Sequence, residues 1–344
     1  MPVDRLLVIT QEIDEESALL GFFVGWVREL SRHFDEVHVA HLKGRGTGIS
    51  RNVFLHKLGG GKVGKVLQLN RLIMDLRPKW VLAHMCPEFV VSAYPAAAAV
   101  GAPIVMFYAH GGVSNTLRMA EKLAAKVITT TEGGFRINSG KKVVIHQGID
   151  TKRFYRGEER YLLDVGRVSR IKNHDLVIRA FSEIGKGELW IAGSAPVREK
   201  EVMGELKALA KERGVEKAVK FLGDVPNAKM PEVYADCVLF VSASETGSLD
   251  KTGLEAMAAG KPVLVCNEAY GGILKGFEEY CFFKKKDCGD LCAKMRVLLA
   301  DAGLRRRIGD ELRLRVEREH SVEDLMERIA EEIVSTKKQV NKPK

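Results

Sequence analysis

Short apolar runs rich in β-branched residues alternate with helical patterns along the whole chain. Such alternation predicts parallel sheets with helices on both faces. The candidate strands in the first half are residues 5–10, 36–40, 80–84, 104–108 and 126–130. Those in the second half are residues 161–165, 188–192, 218–222, 238–242 and 262–265. The chain is long enough for two cores, so we expect an α/β protein with two Rossmann-like, doubly wound domains.

One segment of the second half combines a strand, a turn and a helix start. Residues 244–253 are rich in glycine and small polar residues, and the good helix formers Leu254–Ala258 follow. A helix N-terminus presents unpaired backbone N–H groups and the positive end of the helix dipole, so it binds anions such as a nucleotide diphosphate. Glu255, placed by this pattern in the first turn of the helix, can turn its carboxylate toward a ribose diol.

A second strand, loop and helix lie upstream. The candidate strand 161–165 leads into a loop that begins at Gly166, and a helical pattern covers Asp175–Ile184. The loop contains Arg167 and Lys172, whose planar fork of donors and compact point charge can share the oxygens of a diphosphate. Either segment alone fits a solvated basic loop or an ordinary helix start. Together, and after parallel strands, they favour one shared phosphate site.

Several motifs in this half resemble those of the retaining glycosyltransferases of family 4, which have the two-domain GT-B architecture. The motifs are Gly166–Ser169 with Lys172, Phe221–Pro226, Tyr234–Asp236, Gly253–Ala258 and Gly260–Val263. The resemblance is close from Tyr161 to Val265 and thinner before that. It implies that the two Rossmann-like domains face each other across a cleft. It also implies that Arg167 and Lys172 hold the donor diphosphate and that Glu255 binds the ribose hydroxyls.

The same resemblance gives the expected domain boundaries. Residues 1–152 form the acceptor-binding domain, and residues 153–318 form the domain that binds the nucleotide-sugar donor. Residues 319–336 form a C-terminal helix that crosses back to the first domain, and residues 337–344 form a disordered basic tail. We expect the junction at residues 150–157 to act as a hinge, because no low-complexity linker is present.

The sequence departs from the family at one position. Family members carry a second Glu, which contacts the donor sugar, eight positions before the residue that matches Glu255; here that position is Gly247. Glu245 or Asp250 could replace the missing carboxylate, or backbone amides of residues 249–251 could hold the sugar. We therefore expect the donor to be bound by Gly166, Val225, Glu245, Gly247, Ser248, Leu249, Asp250, Lys251, Thr252 and Glu255.

Two histidines of the first half follow candidate strands. His110 precedes two glycines, and relatives place a His at this position against the donor sugar or the acceptor. We therefore expect His110 in the catalytic set with Arg167 and Lys172. For His84, a role in the acceptor site and a role as a core or loop-anchoring residue are equally supported.

The loop after the first strand is acidic and has no G-x-G-x-x-G turn. The missing turn argues against a dinucleotide-dependent dehydrogenase. Asp14 and Glu16 in this loop are candidates for binding acceptor hydroxyls. The alternative is a solvated loop with a helix cap at Ser17.

The chain has 344 residues and a formal net charge of +9, with 54 Lys and Arg against 45 Asp and Glu. Aromatic residues make up only 7%, and no basic stripe is interleaved with them, so nucleic acid is not an expected partner. An anionic membrane surface fits the charge better. Five basic residues lie near the helical pattern 63–76: His56, Lys57, Lys62, Lys65 and Arg71. The apolar residues of that pattern also fit a helix that only covers a sheet.

No apolar run is long enough to span a bilayer, and the N-terminus lacks the pattern of a signal peptide. We therefore expect a cytoplasmic protein, with the inner face of the membrane as its alternative location. The six cysteines show no paired spacing, and no His/Asp cluster has the spacing of metal ligands, so we expect no bound metal and no cofactor. The family resemblance favours a UDP-sugar over a GDP-sugar as the co-substrate.

These features predict a metal-independent glycosyltransferase of the hexosyltransferase type. It would move a sugar from a nucleoside-diphosphate sugar to a glycan, a lipid-linked saccharide or a small-molecule acceptor. The resemblance implies retention of configuration by a front-face route, in which the leaving phosphate takes the acceptor proton and the protein stabilises the departing diphosphate. Two alternatives stay open: a GT-B-like sugar-nucleotide epimerase, and a nucleotide-binding module without catalysis, which Gly247 keeps in view.

Overall fold

The computed structural model describes residues 3–46, 49–247 and 249–340. The chain divides into two compact units, one containing the residues up to Gly148 together with those from Val322 on, and the other containing Ile149–Ser321. Each unit is built on a sheet of parallel strands with helices, so the α/β prediction is confirmed for both halves. Within the described ranges, no helix has the length and apolar character needed to cross a membrane.

Twelve strands form the two sheets in the described residues. Those of the first unit are β1 (Arg5–Glu12), β2 (Glu36–Lys43), β3 (Val53–Lys57), β4 (Trp80–His84), β5 (Ile104–Phe107), β6 (Lys126–Thr129) and β7 (Lys142–Val144). Those of the second unit are β8 (Tyr161–Val165), β9 (Leu189–Ala192), β10 (Val219–Gly223), β11 (Cys237–Ser242) and β12 (Val263–Val265).

The α-helices follow the strands along the chain. The first four are α1 (Phe22–Leu30), α2 (Lys62–Leu76), α3 (Pro87–Ala99) and α4 (Asn115–Leu123). The second unit contains α5 (His174–Ile184), α6 (Glu201–Glu212), α7 (Met230–Ala235), α8 (Lys251–Ala258), α9 (Glu278–Cys281), α10 (Cys288–Ala300) and α11 (Ala302–Glu319). The last is α12 (Val322–Val340).

In the first unit the strand order is β3-β2-β1-β4-β5-β6-β7, and every pair is parallel. Because side chains alternate across a strand, β1 contributes to two cores. Leu6 and Val8 pack in one core with α1 and α12, and Leu7 and Ile9 pack in the other with α2, α3 and α4. Burial on both faces explains why β1 is a continuous apolar run.

Although α12 is the last helix of the chain, it belongs to the first unit. Leu325, Met326, Ile329 and Ile333 are buried in the core that also contains α1. Glu332 forms an ion pair with Lys126 of β6. The helix continues to Val340, so the first four residues of the predicted disordered tail are helical, and residues 341–344 lie outside the described residues.

The sequence pattern missed two strands of the first unit, β3 and β7. Both lie at the edges of the sheet. In β3 no residue is fully buried, and β7 is only three residues long. An edge strand of this kind lacks the long apolar run that burial on both faces imposes on a central strand.

The second unit has the strand order β10-β9-β8-β11-β12, again with parallel pairs. All five of its strands were predicted, to within two residues at each end. From β8 the chain adds β9 and β10 on one side, and then places β11 and β12 on the other. The order therefore reverses between β8 and β11, and ligands of open α/β sheets bind beside the carboxyl ends of the strands at such a point.

Candidate functional site

Two loops lie at the carboxyl ends of β8 and β11, the strands on either side of the reversal. Lys172 of the first loop contacts the second loop. Its Nζ atom donates to Oδ2 of Asp250 at 2.8 Å and to Oγ of Ser244 at 3.1 Å. The side chains of Lys172 and Asp250 are only 11% and 16% exposed. The structure therefore brings together the two loops that the sequence predicted to share one anion.

Asn173 makes a second link between the same loops. Its Nδ2 atom donates to the carbonyl oxygen of Ala243 at 2.9 Å and to Oε1 of Glu245 at 3.0 Å. The backbone N–H of Glu245 donates to the carbonyl oxygen of Ile171 at 3.2 Å. The two carboxylates that could replace the missing family Glu are thus both engaged in loop contacts, Glu245 with Asn173 and Asp250 with Lys172.

Gly247 occupies the position of the missing Glu, and its backbone has φ = +70°. This is the left-handed region, which costs residues with a side chain about 1–2 kcal/mol. A Cβ atom at this position would contact nothing within 4 Å, so backbone conformation and not space favours glycine. The next predicted donor-binding residue, Ser248, lies outside the described residues.

Helix α8 begins at Lys251, earlier than the sequence pattern indicated, so Glu255 lies in its second turn and not in its first. Gly253, which the sequence pattern placed in the turn, lies inside the helix. Tyr270 packs so closely against Gly253 that a Cβ atom on this glycine would lie 2.4 Å from the Tyr270 hydroxyl oxygen. The same hydroxyl donates to the carbonyl oxygen of Asp250 at 2.8 Å. Thr252 lies in the first turn and is partly exposed.

Glu255 is almost fully buried and faces α7. The Tyr234 hydroxyl donates to its Oε2 atom at 2.9 Å. Burial raises the pKa of Glu255, and the Tyr234 hydrogen bond with the nearby cations of Lys251 and Arg153 offsets only part of this effect. Burial also lowers the pKa of Lys251 well below its usual value. The Leu249 side chain and the Lys251 ammonium are both buried. A ligand could therefore reach residues 249 and 251 only through their backbone atoms.

The basic residues of the first loop have different surroundings. Arg167 is exposed, and within the described part of the chain its guanidinium makes no hydrogen bond or ion pair. Arg170 instead donates to both carboxylate oxygens of Glu205, at 3.0 and 2.9 Å. The aliphatic part of the Lys172 side chain packs over Gly166. A Cβ atom built on Gly166 would lie 3.4 Å from Cδ of Lys172. Val225, in the loop after β10, is half-buried against the core.

Sequence reasoning missed a buried pair beneath this loop, Asp164 and His174. Asp164 lies in β8 and His174 is the first residue of α5. Their Oδ2 and Nδ1 atoms are 2.6 Å apart, and both side chains are almost completely buried. The signal was present in the sequence, because Asp164 interrupts the apolar run of residues 161–165.

In the first unit, His84 is a core residue. Its ring stacks on Phe23 with 4.0 Å between the ring centroids, and its Nδ1 atom lies 3.2 Å from the Thr10 hydroxyl. Only 2% of the residue is exposed. His84 is therefore a core residue, as the second of the two alternatives predicted.

His110 is exposed, and its Nδ1 atom accepts the backbone N–H of Gly112 at 3.0 Å. In the acidic loop, Asp14 accepts the backbone N–H of Glu16 at 3.1 Å, and Glu16 is exposed. Ser17 accepts the backbone N–H of Leu20 at 3.1 Å, but α1 begins at Phe22 with Gly21 as its N-cap, so the predicted helix cap at Ser17 is wrong. The roles of His110, Asp14 and Glu16 toward an acceptor stay predictions. In the described ranges, no group of three or more His, Cys, Asp or Glu side chains is arranged to hold a metal ion.

Comparisons with known proteins show a likeness to glycosyltransferases. Residues 149–315 match the family model described as glycosyl transferases group 1. The chain is 31% identical over 125 residues to mannosylfructose-phosphate synthase of Agrobacterium fabrum. This matched segment covers 34% of this chain and 27% of that protein. It is 28% identical over 152 residues to alpha-monoglucosyldiacylglycerol synthase of Streptococcus pneumoniae, covering 38% and 33% of the two chains. The chain thus spans about a third or less of the length of these curated relatives.

Solved structures extend the likeness to the whole chain. The Anabaena protein HepE, solved in complex with UDP and glucose, superimposes with a TM-score of 0.79. The match covers 97% of this chain and 100% of that one at 16% identity, so it shows the fold alone. The chain has the GT-B fold, and its second unit carries the sequence pattern of group 1 glycosyltransferases.

Proposed function

We propose that this chain is a retaining glycosyltransferase that takes its sugar from a nucleoside-diphosphate sugar, with UDP as the nucleotide. The observation that carries the proposal is the position of Lys172, a shielded ammonium that joins the two loops at the point where the strand order reverses. The match of residues 149–315 to group 1 glycosyltransferases supports it. The presence of UDP in the complex of a structural relative supports the choice of nucleotide.

The diphosphate binds to Arg167 and Lys172. The exposed guanidinium of Arg167 offers a fork of donors, while Lys172 offers a point charge whose stem is packed over Gly166. The first-turn backbone N–H groups of α8 add donors on the other side. Asp250 already neutralises part of the Lys172 charge, so a diphosphate competes with this carboxylate for the ammonium.

The nucleoside binds through Glu255. One carboxylate oxygen accepts the Tyr234 hydroxyl, which fixes the orientation of the side chain. The other oxygen, Oε1, is then the acceptor for the ribose diol. A carboxylate in such a buried setting makes strong hydrogen bonds, because little water competes for it.

The reaction needs charge stabilisation more than it needs a nucleophile. The acceptor oxygen attacks the anomeric carbon while the bond from that carbon to the phosphate oxygen breaks. The electron pair of this bond stays on the diphosphate, which takes the acceptor proton on the same face of the sugar. Arg167 and Lys172 stabilise the charge that builds on the diphosphate, so the protein supplies this stabilisation without a metal ion.

The acceptor we propose is a lipid-linked or glycan acceptor at an anionic membrane. Helix α2 buries Leu69 and Ile73, but Val63 and Leu67 are 74% and 66% exposed. Val66 and Met74 are exposed as well, and the exposed cations Lys62 and Arg71 lie on the same helix. Apolar residues beside cations suit a surface of anionic lipids. The lipid product named for the Streptococcus pneumoniae relative is consistent with this acceptor class.

The proposal is tested by incubating the full chain with UDP-glucose, UDP-galactose, UDP-N-acetylglucosamine and GDP-mannose, with and without a membrane lipid extract. Release of nucleoside diphosphate that requires the extract supports transfer. Conversion of the sugar without any acceptor would instead identify an epimerase. No turnover of any donor, together with intact UDP binding, would leave a binding module. Activity that survives EDTA supports the metal-free mechanism.

A further inference from the structure

A carboxylate in the middle of a buried strand needs a compensating partner. Asp164 lies in β8 between Leu163 and Val165, and only 1% of the residue is exposed. Burying an ionised carboxylate costs several kcal/mol unless it is paired and hydrogen-bonded. Asp164 carries this cost although it does not belong to the proposed ligand site, so its role must lie in what it contacts.

The partner is His174, and its ring has two contacts. Nδ1 lies 2.6 Å from Oδ2 of Asp164, and Nε2 lies 3.1 Å from the carbonyl oxygen of Arg167. The ring therefore bridges a strand side chain and the backbone of the loop that carries Arg167. Only 2% of His174 is exposed, so water does not compete for either contact.

Both partners of the ring are acceptors. A carboxylate and a backbone carbonyl have no proton to donate, so both contacts are hydrogen bonds only when each ring nitrogen carries a proton. Burial opposes the imidazolium, but the Asp164 carboxylate and the Arg167 carbonyl outweigh burial, and the pKa of His174 is raised above its ordinary value. Lys172 acts in the opposite direction. Five other charged residues line the recess beside His174: Arg170, Asp175, Arg179, Glu205 and Glu212.

The hydrogen bond to the Arg167 carbonyl matters because, in the described residues, the side chain of Arg167 has no hydrogen bond that would fix its direction. The Arg167 side chain is exposed and makes no hydrogen bond in the described ranges. The neighbouring backbone is held on both sides, by Gly166 N–H to the carbonyl of Ala192 at 3.0 Å and Val168 N–H to the carbonyl of Ser194 at 2.9 Å. The bond from His174 fixes the carbonyl between these anchors, and with it the direction in which the Arg167 side chain leaves the loop.

We propose that His174, held as a cation by Asp164, is a positioning residue that aims Arg167 at the diphosphate of the donor. The inference rests on the proposed function, since it needs Arg167 to bind a phosphate. His174 itself does not touch the ligand. Loss of the Nε2 proton removes the hydrogen bond to the Arg167 carbonyl, whose other side-chain contact is the longer one from the Ser169 hydroxyl at 3.4 Å.

A double-mutant cycle tests this role with UDP as the probe, measured by calorimetry on the full chain. We expect His174→Gln to weaken UDP binding about tenfold in the wild-type background. This loss of affinity corresponds to one hydrogen bond to a charged group. In the Arg167→Ala background the same change should have almost no effect, because the two residues act as one unit. His33→Gln, at an exposed histidine of the first unit, is the matched control. Equal losses in both backgrounds, or no loss in either, would overturn the inference.

A second measurement needs no variant that must fold. Nitrogen-15 NMR of the histidine-labelled wild-type chain should show one buried ring with both nitrogens protonated at about pH 7.5, where an ordinary histidine is neutral. A single-protonated His174 at that pH would overturn the assignment. The failure of the proposed diphosphate site is distinguishable, because wild-type protein would then bind no nucleoside diphosphate at all. If UDP binds to wild type and Lys172→Ala weakens binding while His174→Gln leaves it unchanged, only the positioning role falls.

Discussion

The Nζ atom of Lys172 lies 2.8 Å from Oδ2 of Asp250, and both side chains are largely shielded from solvent. The cation that we assign to the diphosphate is thus already paired with a carboxylate from the opposite loop. Under our proposal, a phosphate competes with Asp250 for this ammonium, and we expect the released carboxylate to accept a hydroxyl of the donor sugar.

This contact predicts opposite effects of Asp250→Asn on binding and on turnover. UDP should bind up to about tenfold more tightly, because the competing charge is gone. Turnover of the sugar nucleotide should fall, because Asn cannot replace a carboxylate that accepts a sugar hydroxyl. Calorimetry with UDP and an assay of UDP release measure the two quantities. Glu216→Gln, at an exposed carboxylate of the same unit, is the matched control. Weaker UDP binding in Asp250→Asn would show that Asp250 instead orients Lys172 for the phosphate.

Restoring the family residue with Gly247→Glu should destabilise the chain. The backbone at Gly247 has φ = +70°, which costs a residue with a side chain about 1–2 kcal/mol, while the space around it is open. Chemical denaturation measures the free energy of unfolding. Gly247→Asn is the control, since Asn tolerates this conformation better than Glu and should cost less. Equal stability of wild type and Gly247→Glu would argue against a conformational reason for the glycine.

The first unit should lose stability in mild acid through two histidines. Nδ1 of His38 lies 2.9 Å from Nε2 of His56, and His38 also contacts Glu36. Burial lowers the pKa of both histidines, and the charge of His38 lowers that of His56 further. The unfolded chain therefore binds more protons below about pH 6.5, so the free energy of unfolding falls as the pH drops from there through the lowered pKa values.

Denaturation at several pH values measures this loss, and His56→Gln should reduce its slope. His174 does not confuse the result, because its raised pKa has the opposite sign. Its contribution is complete below about pH 6.5 and is lost only as the pH rises through the raised value. A stability that is unchanged between neutral and mildly acid pH would contradict the assignment of the two histidines.

Helix α2 should bind anionic vesicles. We expect sedimentation with vesicles of phosphatidylcholine and phosphatidylglycerol, weaker binding to phosphatidylcholine alone, and release by salt, since exposed charges are screened. Leu67→Glu should reduce binding by placing a negative charge among the exposed apolar residues. Leu314→Glu is the matched control, because Leu314 is 61% exposed but lies in the second unit. Equal loss in both variants, or no binding by wild type, would remove the membrane proposal.

The sequence predicted the second unit better than the first, for a physical reason. Its central strands are buried on both faces and are followed by polar loops that each contain a glycine, so both the strands and the loops at their ends have a strong local pattern. The edge strands β3 and β7 have no such pattern. The helix start at Lys251 was missed because a glycine at position 253 indicates a turn when only the local sequence is considered. In the structure, residue 253 is a glycine because Tyr270 packs against it and leaves no room for a side chain. The contact of Lys172 with Asp250 joins residues 78 positions apart and has no local signature, whereas Asp164 is visible in the sequence as a carboxylate within an apolar strand.

The central claim is that Lys172 holds the diphosphate of a nucleotide donor, and the most direct test is calorimetry with UDP on wild type and Lys172→Ala. Lys217→Ala, at an exposed lysine of the same unit, is the matched control. We expect wild type and the control to bind UDP alike, and Lys172→Ala to bind about ten- to a hundredfold more weakly, as expected for a lost charge-assisted hydrogen bond. Binding of UDP by Lys172→Ala with wild-type affinity would contradict the account.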